Sequence, residues 1–210
     1  MSDFNQLIGG FRAFKATRYL EQKDIVGHLI RQGLKPKTLI ITCCDMRSSP
    51  DILFSSNPGD FLVLSNPGAL ISAYSEHGTK GIVATLEHAI SDLKVDNIII
   101  LGHAKCDSIE MLMNEDSDHH IPQSIKNWLS IVEEARDAVN RDLSDKEFEE
   151  KCDACEHEAI LVSLKHLLTY PFVEKAVASG DLNIYGWHFD IQTGILLGFN
   201  PESKFFEPIG

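Results

Sequence analysis

The sequence lacks long hydrophobic runs, a surplus of basic residues and nucleotide-binding motifs, and each absence excludes a class of protein. No apolar stretch approaches the ~20 residues that a membrane-spanning helix needs, so we expect no membrane partner. Asp and Glu total 31 against 19 Lys and Arg, and the net charge of −12 repels phosphate backbones and argues against nucleic-acid binding. Neither Gly-x-Gly-x-x-Gly nor Gly-x-x-x-x-Gly-Lys occurs, which leaves nucleotide binding without support.

The cysteine count and the first residues indicate a reducing compartment. Residues 1–6 contain neither the basic segment nor the apolar segment of a secretory signal. Five cysteines make an odd count, which argues against a framework of paired disulfides. We therefore expect a cytoplasmic protein whose reduced thiols are available as metal ligands.

Length and composition indicate one folded unit. Hydrophobic residues make up 43% of the 210 residues and charged residues 24%, which is typical of globular proteins. No repeat, low-complexity tract or Pro/Gly-rich linker divides the chain, and its length suits one domain. We interpret residues 1–210 as a single domain in which residues 1–35 form an N-terminal helical arm.

The hydrophobic pattern predicts an α/β fold. Short apolar, β-branched runs predict buried strands over 38–43, 61–64 and 97–102. Helical periodicity predicts two helices over 4–34 and further helices over 77–93, 121–140 and 145–169. Strands that are apolar on both faces and alternate with helices favour a mainly parallel central β-sheet flanked by helices. The alternating segments 183–190 and 195–199, joined by the turn Thr193-Gly194, predict a C-terminal β-hairpin.

Chemically active side chains follow two of the predicted strands. One cluster, Cys43-Cys44-Asp45-Met46-Arg47, comes at the end of the first strand, and another, His103-Ala104-Lys105-Cys106, directly follows a later one. Ligands of open α/β sheets bind beyond the carboxyl ends of the strands, so both clusters are expected at one crevice. Cys and His suit Zn²⁺, and three protein ligands leave one tetrahedral position open, as in catalytic zinc sites. The alternative is that the strand-end cysteines are small buried hydrophobic residues.

An acidic and a basic residue stand two positions apart in the first cluster. Asp45 and Arg47 are spaced to form a bidentate ion pair, which holds a carboxylate ionised and oriented. The alternative is an ordinary ion pair in a loop. The neighbouring candidate ligand Cys43 favours the functional interpretation.

Together the two clusters resemble the β-class carbonic anhydrases. The pattern Cys-x-Asp-x-Arg at 43–47 and the pattern Gly-His-x-x-Cys at 102–106 are similar to the signatures of that family. The similarity runs through most of the chain, in segments that include Gly33-x-x-Pro36, Asn57-Pro58-Gly59-Asp60, Glu87-x-Ala89-Ile90, Cys155-Glu156, Tyr170-Pro171 and Gly186-Trp187.

The resemblance implies a zinc-dependent enzyme that hydrates CO₂ reversibly to bicarbonate and a proton. It implies one Zn²⁺ per chain, held by Cys43, His103 and Cys106, and a zinc-bound hydroxide that Asp45 orients while Arg47 holds Asp45. It also implies that the arm wraps a second subunit, which makes the protein a homodimer or a larger even homo-oligomer. The expected small-molecule partners are CO₂ and bicarbonate.

Four positions depart from the family pattern around the expected pocket. The family commonly has Ser where this chain has Met46, and Gln where it has Leu34. Its Arg-Asn-x-x-Asn loop is replaced by the segment 65–69, and two glycines that follow the second Cys ligand are Asp107 and Ser108. The apolar Leu34 suits CS₂ or COS as an alternative substrate, and the altered loop suits a non-catalytic zinc-binding scaffold or sensor. Asp107 is either a capping or first-turn acid or an extra negative charge beside the site.

Other candidate residues receive weaker interpretations. Cys152 and Cys155 share one helix face without an evident fourth ligand, which disfavours a second metal or redox site. Cys44 is expected to point away from the metal, because successive strand residues face opposite ways. The pair His119-His120 is interpreted as part of a solvated acidic loop, and Tyr74 is either close to the substrate entrance or simply packed.

Overall fold

A six-stranded sheet forms the centre of the protein, whose computed structural model describes residues 3–76, 78, 80–114 and 121–209. The strand order is β2-β1-β3-β4-β5-β6. The strands are β1 Thr38–Cys43, β2 Leu62–Asn66, β3 Asn97–His103, β4 Asn183–Phe189, β5 Leu196–Asn200 and β6 Phe205–Pro208. The first four run parallel and the last two antiparallel. The predicted α/β fold with a mainly parallel sheet is therefore confirmed.

Helices lie between and around the strands. Their bounds are α1 Asp3–Ala16, α2 Arg18–Gln32, α3 Pro50–Leu53, α4 Lys80–Glu87, α5 Asp107–Met113, α6 Gln123–Leu129, α7 Glu133–Asp142, α8 Phe148–Leu167 and α9 Pro171–Ala178. A five-residue π-helical turn, His88–Asp92, extends α4. None of the helices in the described part of the chain combines the length and the apolar content needed to cross a bilayer.

The apolar runs of β1 and β3 are buried on both faces, as continuous hydrophobic strands of a parallel sheet are expected to be. On one face, Ile98 and Ile100 of β3 join a core with Ile160 of α8. On the other face, Ile40 of β1 packs with Ile99 and neighbouring aromatic side chains. Because both faces are covered, the register between β1 and β3 is firmly fixed and so is the alignment of their carboxyl ends.

Two glycines allow α8 to approach the sheet closely. A Cβ atom at Gly102 would lie 2.7 Å from Cδ1 of Ile160, and one at Gly186 would lie 2.7 Å from Cγ2 of the same side chain. Only hydrogen at these positions leaves room for the helix. Glu156 lies one helical turn before Ile160, so the close packing also brings Glu156 up to the end of β3.

The structure differs from the predicted elements mainly at their ends. His103 is the last residue of β3 rather than the first residue after it. The C-terminal hairpin of β4 and β5 is present, but β4 is also a parallel partner of β3, and β6 extends the antiparallel part. The predicted helix over 121–140 is divided into α6 and α7 by a short 3-10 turn at Ser130–Val132.

The N-terminal helices lie apart from the core. Neither α1 nor α2 contains a buried residue. Large apolar side chains of α1 are exposed, namely Phe4, Leu7, Phe11 and Phe14. The arm meets the rest of the chain where Leu29 of α2 packs against Gly59 and where Arg18 Nη2 donates to the Ser56 carbonyl at 3.4 Å.

Candidate metal centre

Three candidate ligands meet at the carboxyl edge of the sheet. Cys43 ends β1, His103 ends the adjacent parallel strand β3, and Cys106 lies just before α5. One ligand atom from each residue lies within 4.8 Å of the others, and all three residues are buried. The structure thus brings together the ligand atoms that the sequence placed 60 residues apart along the chain.

The surroundings of His103 fit a metal ion. Its Nδ1 donates to the Ala104 carbonyl at 2.9 Å, an arrangement that leaves Nε2 as a lone-pair donor. That Nε2 atom is buried and has no hydrogen-bond partner, which is costly unless another group satisfies it. Two cysteine sulfurs beside an unpaired imidazole nitrogen form a donor set that suits Zn²⁺.

Backbone N–H groups point at the sulfurs. Gly68 N lies 3.4 Å from Cys43 Sγ, in a loop where Gly68 adopts a positive φ of 81°. The Asn66 side chain holds this loop by accepting from Leu70 N at 2.8 Å and donating to the Leu70 carbonyl at 2.9 Å. Cys106 faces the first N–H groups of α5. Such donors disperse the negative charge of thiolates, which counters the weakening of a bound zinc as a Lewis acid.

The contact between the two cysteine side chains shifts their pKa values in opposite directions. A hydrogen bond with Cys106 lowers the pKa of Cys43 to about 4, against the opposing effect of burial. The same contact raises the pKa of Cys106, and burial raises it further. For His103, burial alone would lower the pKa, but its interaction with Cys43 and the Ala104 carbonyl produces a net increase.

We expect the metal-free chain to contain one thiolate at about pH 6, where an ordinary thiol is protonated. Cys43 supplies it, and the thiolate is lost as the pH falls through the Cys43 pKa of about 4. The other four thiols have raised pKa values, with about 11 for Cys152 and about 12 for Cys155. Ultraviolet thiolate absorbance measures this titration. Cys43→Ser should remove the acidic step and Cys152→Ser should retain it. A first thiolate only above about pH 8 would contradict the lowered pKa of Cys43.

Asp45 stands beside the ligand cluster and is held by Arg47. Arg47 Nε and Nη2 donate to Asp45 Oδ2 at 2.8 and 2.5 Å, and the Arg47 backbone N–H donates to Oδ1 at 2.8 Å. The ion pair expected from the sequence is present, although both side-chain N–H groups meet one oxygen rather than two. The hydrogen bonds from Arg47 lower the pKa of Asp45, so it is a carboxylate at neutral pH. Its Oδ2 lies 3.9 Å from His103 Nε2.

Asp107, which had two interpretations, is the first residue of α5 and follows the N-cap residue Cys106. Its Oδ1 lies 3.4 Å from Arg47 Nη2. The carboxylate of Asp107 therefore has the Arg47 guanidinium as a partner. The first-turn position of Asp107 was one of its two predicted interpretations, whereas its contact with Arg47 was not predicted.

A buried acid–base pair behind Cys106 has no counterpart in the sequence analysis. Glu156 Oε1 accepts from the Cys106 backbone N–H at 3.0 Å, and Glu156 Oε2 lies 3.0 Å from His188 Nε2. Both side chains are nearly inaccessible to solvent. The resemblance at Cys155-Glu156 drew attention to this segment, but no local pattern pairs Glu156 with a residue 32 positions later.

The remaining candidates that the structure describes are not members of the ligand cluster. Cys44 is exposed but its side chain interacts with that of Cys43, while Cys152 and Cys155 lie in α8. Within the described residues, the Cys43–His103–Cys106 cluster is the only group of three or more His, Cys, Asp or Glu residues arranged for a metal ion. Tyr74 packs edge-on against Tyr170, with ring centroids 5.4 Å apart. His119 and His120 fall outside the described residues.

Fold and site together define an α/β protein whose sheet carries a two-sulfur, one-imidazole cluster and an Asp–Arg pair at its carboxyl edge. The family model described as carbonic anhydrase matches residues 38–196, which include all five of these side chains. The chain belongs to the β-carbonic anhydrase family, a family of lyases.

Relatives and solved structures agree with this assignment. The chain is 34% identical over 188 residues to β carbonic anhydrase 3 of Arabidopsis thaliana, covering 88% of this chain and 72% of the relative. The structure of the β-carbonic anhydrase CcaA matches with a TM-score of 0.94 at 29% identity, over 99% of this chain and 100% of that one. A structure of tetrameric β-carbonic anhydrases from Sordaria macrospora shares the fold, with a TM-score of 0.84, 22% identity and coverage of 95% and 98%.

Proposed function

We propose that the protein catalyses the reversible hydration of CO₂ to bicarbonate and a proton, with one Zn²⁺ held by Cys43, His103 and Cys106. The observation that carries this proposal is the buried three-ligand cluster with the Asp45 carboxylate oxygen 3.9 Å from His103 Nε2. Membership of the β-carbonic anhydrase family supports the reaction. When bound, Zn²⁺ supplies the acidity that makes a water molecule nucleophilic near neutral pH.

The side chains around the cluster have separable roles in this proposal. Asp45 carries a charge at neutral pH and so accepts a hydrogen bond from the attacking water, which orients its lone pair toward the carbon of CO₂. Arg47 fixes the Asp45 carboxylate in that position. Glu156 fixes the backbone of Cys106 from behind, as outer-shell partners commonly do for metal ligands.

Stopped-flow CO₂ hydration on protein of measured zinc content tests the function at about pH 7, close to the pKa at which zinc-activated water commonly ionises, and at about pH 9, well above it. We expect stoichiometric zinc and hydration at both values, faster at the higher one. Full zinc without hydration at either value would reject the activity and leave the family assignment intact.

Leu34 favours a second candidate reaction, the hydrolysis of CS₂ or COS at the same site. Its side chain is half exposed in the segment between α2 and β1 and offers no hydrogen bond to a substrate. A hydrogen sulfide assay with these gases separates the two substrates. If neither reaction occurs, cobalt absorption spectra across pH distinguish a zinc-binding scaffold, because they show whether an exchangeable water ligand exists.

We further propose that residues 1–210 form one domain whose arm, residues 1–35, packs on a second copy in a homodimer or a larger even oligomer. The exposed apolar side chains of α1 support this arrangement, because isolated helices with an open apolar face are marginally stable in water. The five free thiols support a cytoplasmic location. Sedimentation equilibrium of the full chain tests the oligomer, and a monomer would reject it.

A further inference from the structure

Arg47 contacts both of the segments that follow the ligand-bearing strands, the segment after β1 and the segment between β3 and α5. These two segments are called the ligand loops. On the β1 side, Arg47 Nη2 donates to Asp45 Oδ2 at 2.5 Å. On the α5 side, the same Nη2 donates to the Lys105 carbonyl at 3.1 Å and lies 3.4 Å from Asp107 Oδ1. One guanidinium therefore connects the residues that follow Cys43 with the residues that flank Cys106.

The backbone of Lys105 is held in the conformation that this contact uses. Lys105 has a positive φ of 56°, in the left-handed region that residues other than glycine rarely adopt. Its ammonium group is anchored to α8 by Asp153 at 2.7 Å and Glu149 at 2.9 Å. These ion pairs fix a turn whose carbonyl is directed at Arg47.

We propose that Asp107 is a positioning residue that completes a second binding position for Arg47, together with the Lys105 carbonyl. Through Arg47 it keeps Asp45 in place and ties the two ligand loops to each other. The importance of this tie for catalysis rests on the proposed function. The proposal depends on the carboxylate at position 107. The glycine typical of the family pattern has no side chain that could pair with a guanidinium, whereas Asp107 does.

The solvent exposure of the two carboxylates explains how Arg47 accommodates both of them. Asp45 is mostly buried, with 18% of its side chain exposed, whereas Asp107 is 78% exposed and remains hydrated. Asp107 therefore attracts Arg47 without displacing the shorter, more buried contact with Asp45. The expected effect of Asp107 is correspondingly modest, since exposed ion pairs contribute little.

First-order release of zinc from the holoprotein into excess chelator tests the proposal. We expect Asp107→Asn to accelerate release about two- to fivefold, within the range for one exposed ion pair, and Asp107→Glu to restore the slower rate. Glu110→Gln is the matched control, because it removes one carboxylate from the same helix, whereas the ion pairs recorded for Arg47 are with Asp45 and Asp107. In an Arg47→Gln background, Asp107→Asn should change the rate by less than about 1.5-fold, because the effect passes through Arg47.

Two results would overturn the proposal. Equal acceleration with and without Arg47 would show that Asp107 acts on α5 rather than on the guanidinium. An unchanged release rate in Asp107→Asn would show that the contact has no consequence. Because zinc release is read without any substrate, the expected release rates together with absent CO₂ hydration would reject the proposed function and retain the positioning role.

Discussion

Cys106→Ser is expected to leave the protein without stoichiometric zinc and without CO₂ hydration. The substitution keeps the size of the side chain and replaces a soft sulfur ligand by a hydroxyl that binds Zn²⁺ poorly. Cys106 is buried and lies within 4.8 Å of the other two ligand atoms, so no solvent-exposed side chain can take its place without rearrangement. We expect zinc affinity to fall by more than the ~10–100-fold that loss of an outer-shell partner costs.

Metal analysis after gel filtration and stopped-flow hydration measure this outcome together. Cys152→Ser is the matched control, because it makes the same atomic change in α8, outside the ligand cluster. We expect the control to keep its zinc and its activity. Full zinc content in Cys106→Ser, with the fold retained by circular dichroism, would show that the cluster is not the metal site.

The convergence of Cys43 and His103 was predictable from the sequence because it depends on adjacent parallel strands. Cys43 and His103 follow apolar runs that are buried on both faces, and the carboxyl ends of adjacent parallel strands lie side by side. Spacing within each cluster then indicated which side chains reach the crevice. Local pattern was sufficient here because each cluster lies within a few residues of a strand end.

Contacts between distant segments were not predictable in the same way. The hydrogen bond from Gly68 N to Cys43 Sγ joins residues 25 positions apart, and the bond from Cys106 N to Glu156 spans 50. Each contact depends on how closely a loop or a helix packs against its neighbour. Side-chain volume and backbone conformation determine that distance. The approach of α8, for example, depends on the absence of side chains at Gly102 and Gly186. The two glycines are visible in the sequence, but the side chain that packs into the space beside them is not.

The second contact of Arg47 shows the same limit at short range. The pair with Asp45 followed from a two-residue spacing, whereas the contacts with Lys105 and Asp107 cross from one loop to another. The left-handed backbone at Lys105 carries no signal in its residue type, because such conformations normally favour glycine or asparagine. The sequence showed that Asp107 departs from the family pattern. Its role could be interpreted only once the structure placed it beside Arg47.

Asp45→Asn is expected to retain zinc and to lose most of the CO₂ hydration. Asn has nearly the shape of Asp but no charge, so it is a weaker acceptor for the attacking water and a weaker partner for Arg47. Loss of an orienting or proton-accepting group commonly costs about 10²- to 10⁴-fold in rate, and we expect kcat/KM to fall within that range. Because hydrogen bonds from Arg47 lower the pKa of Asp45, the wild-type carboxylate stays charged at and above neutral pH. The Asn side chain does not ionise, so raising the pH should not restore this charge or rescue the variant.

The matched control for this substitution is Asp142→Asn. Asp142 forms an ion pair with the adjacent Arg141 at 2.7 Å on an exposed part of α7, so the change removes the same charge from the same kind of pair. We expect this control to match the unsubstituted protein in zinc content and in kcat/KM across pH. If Asp45→Asn hydrates CO₂ at a rate close to that of the control, the carboxylate has no part in orienting the nucleophile. The Arg47 contacts would then serve only to connect the two ligand loops.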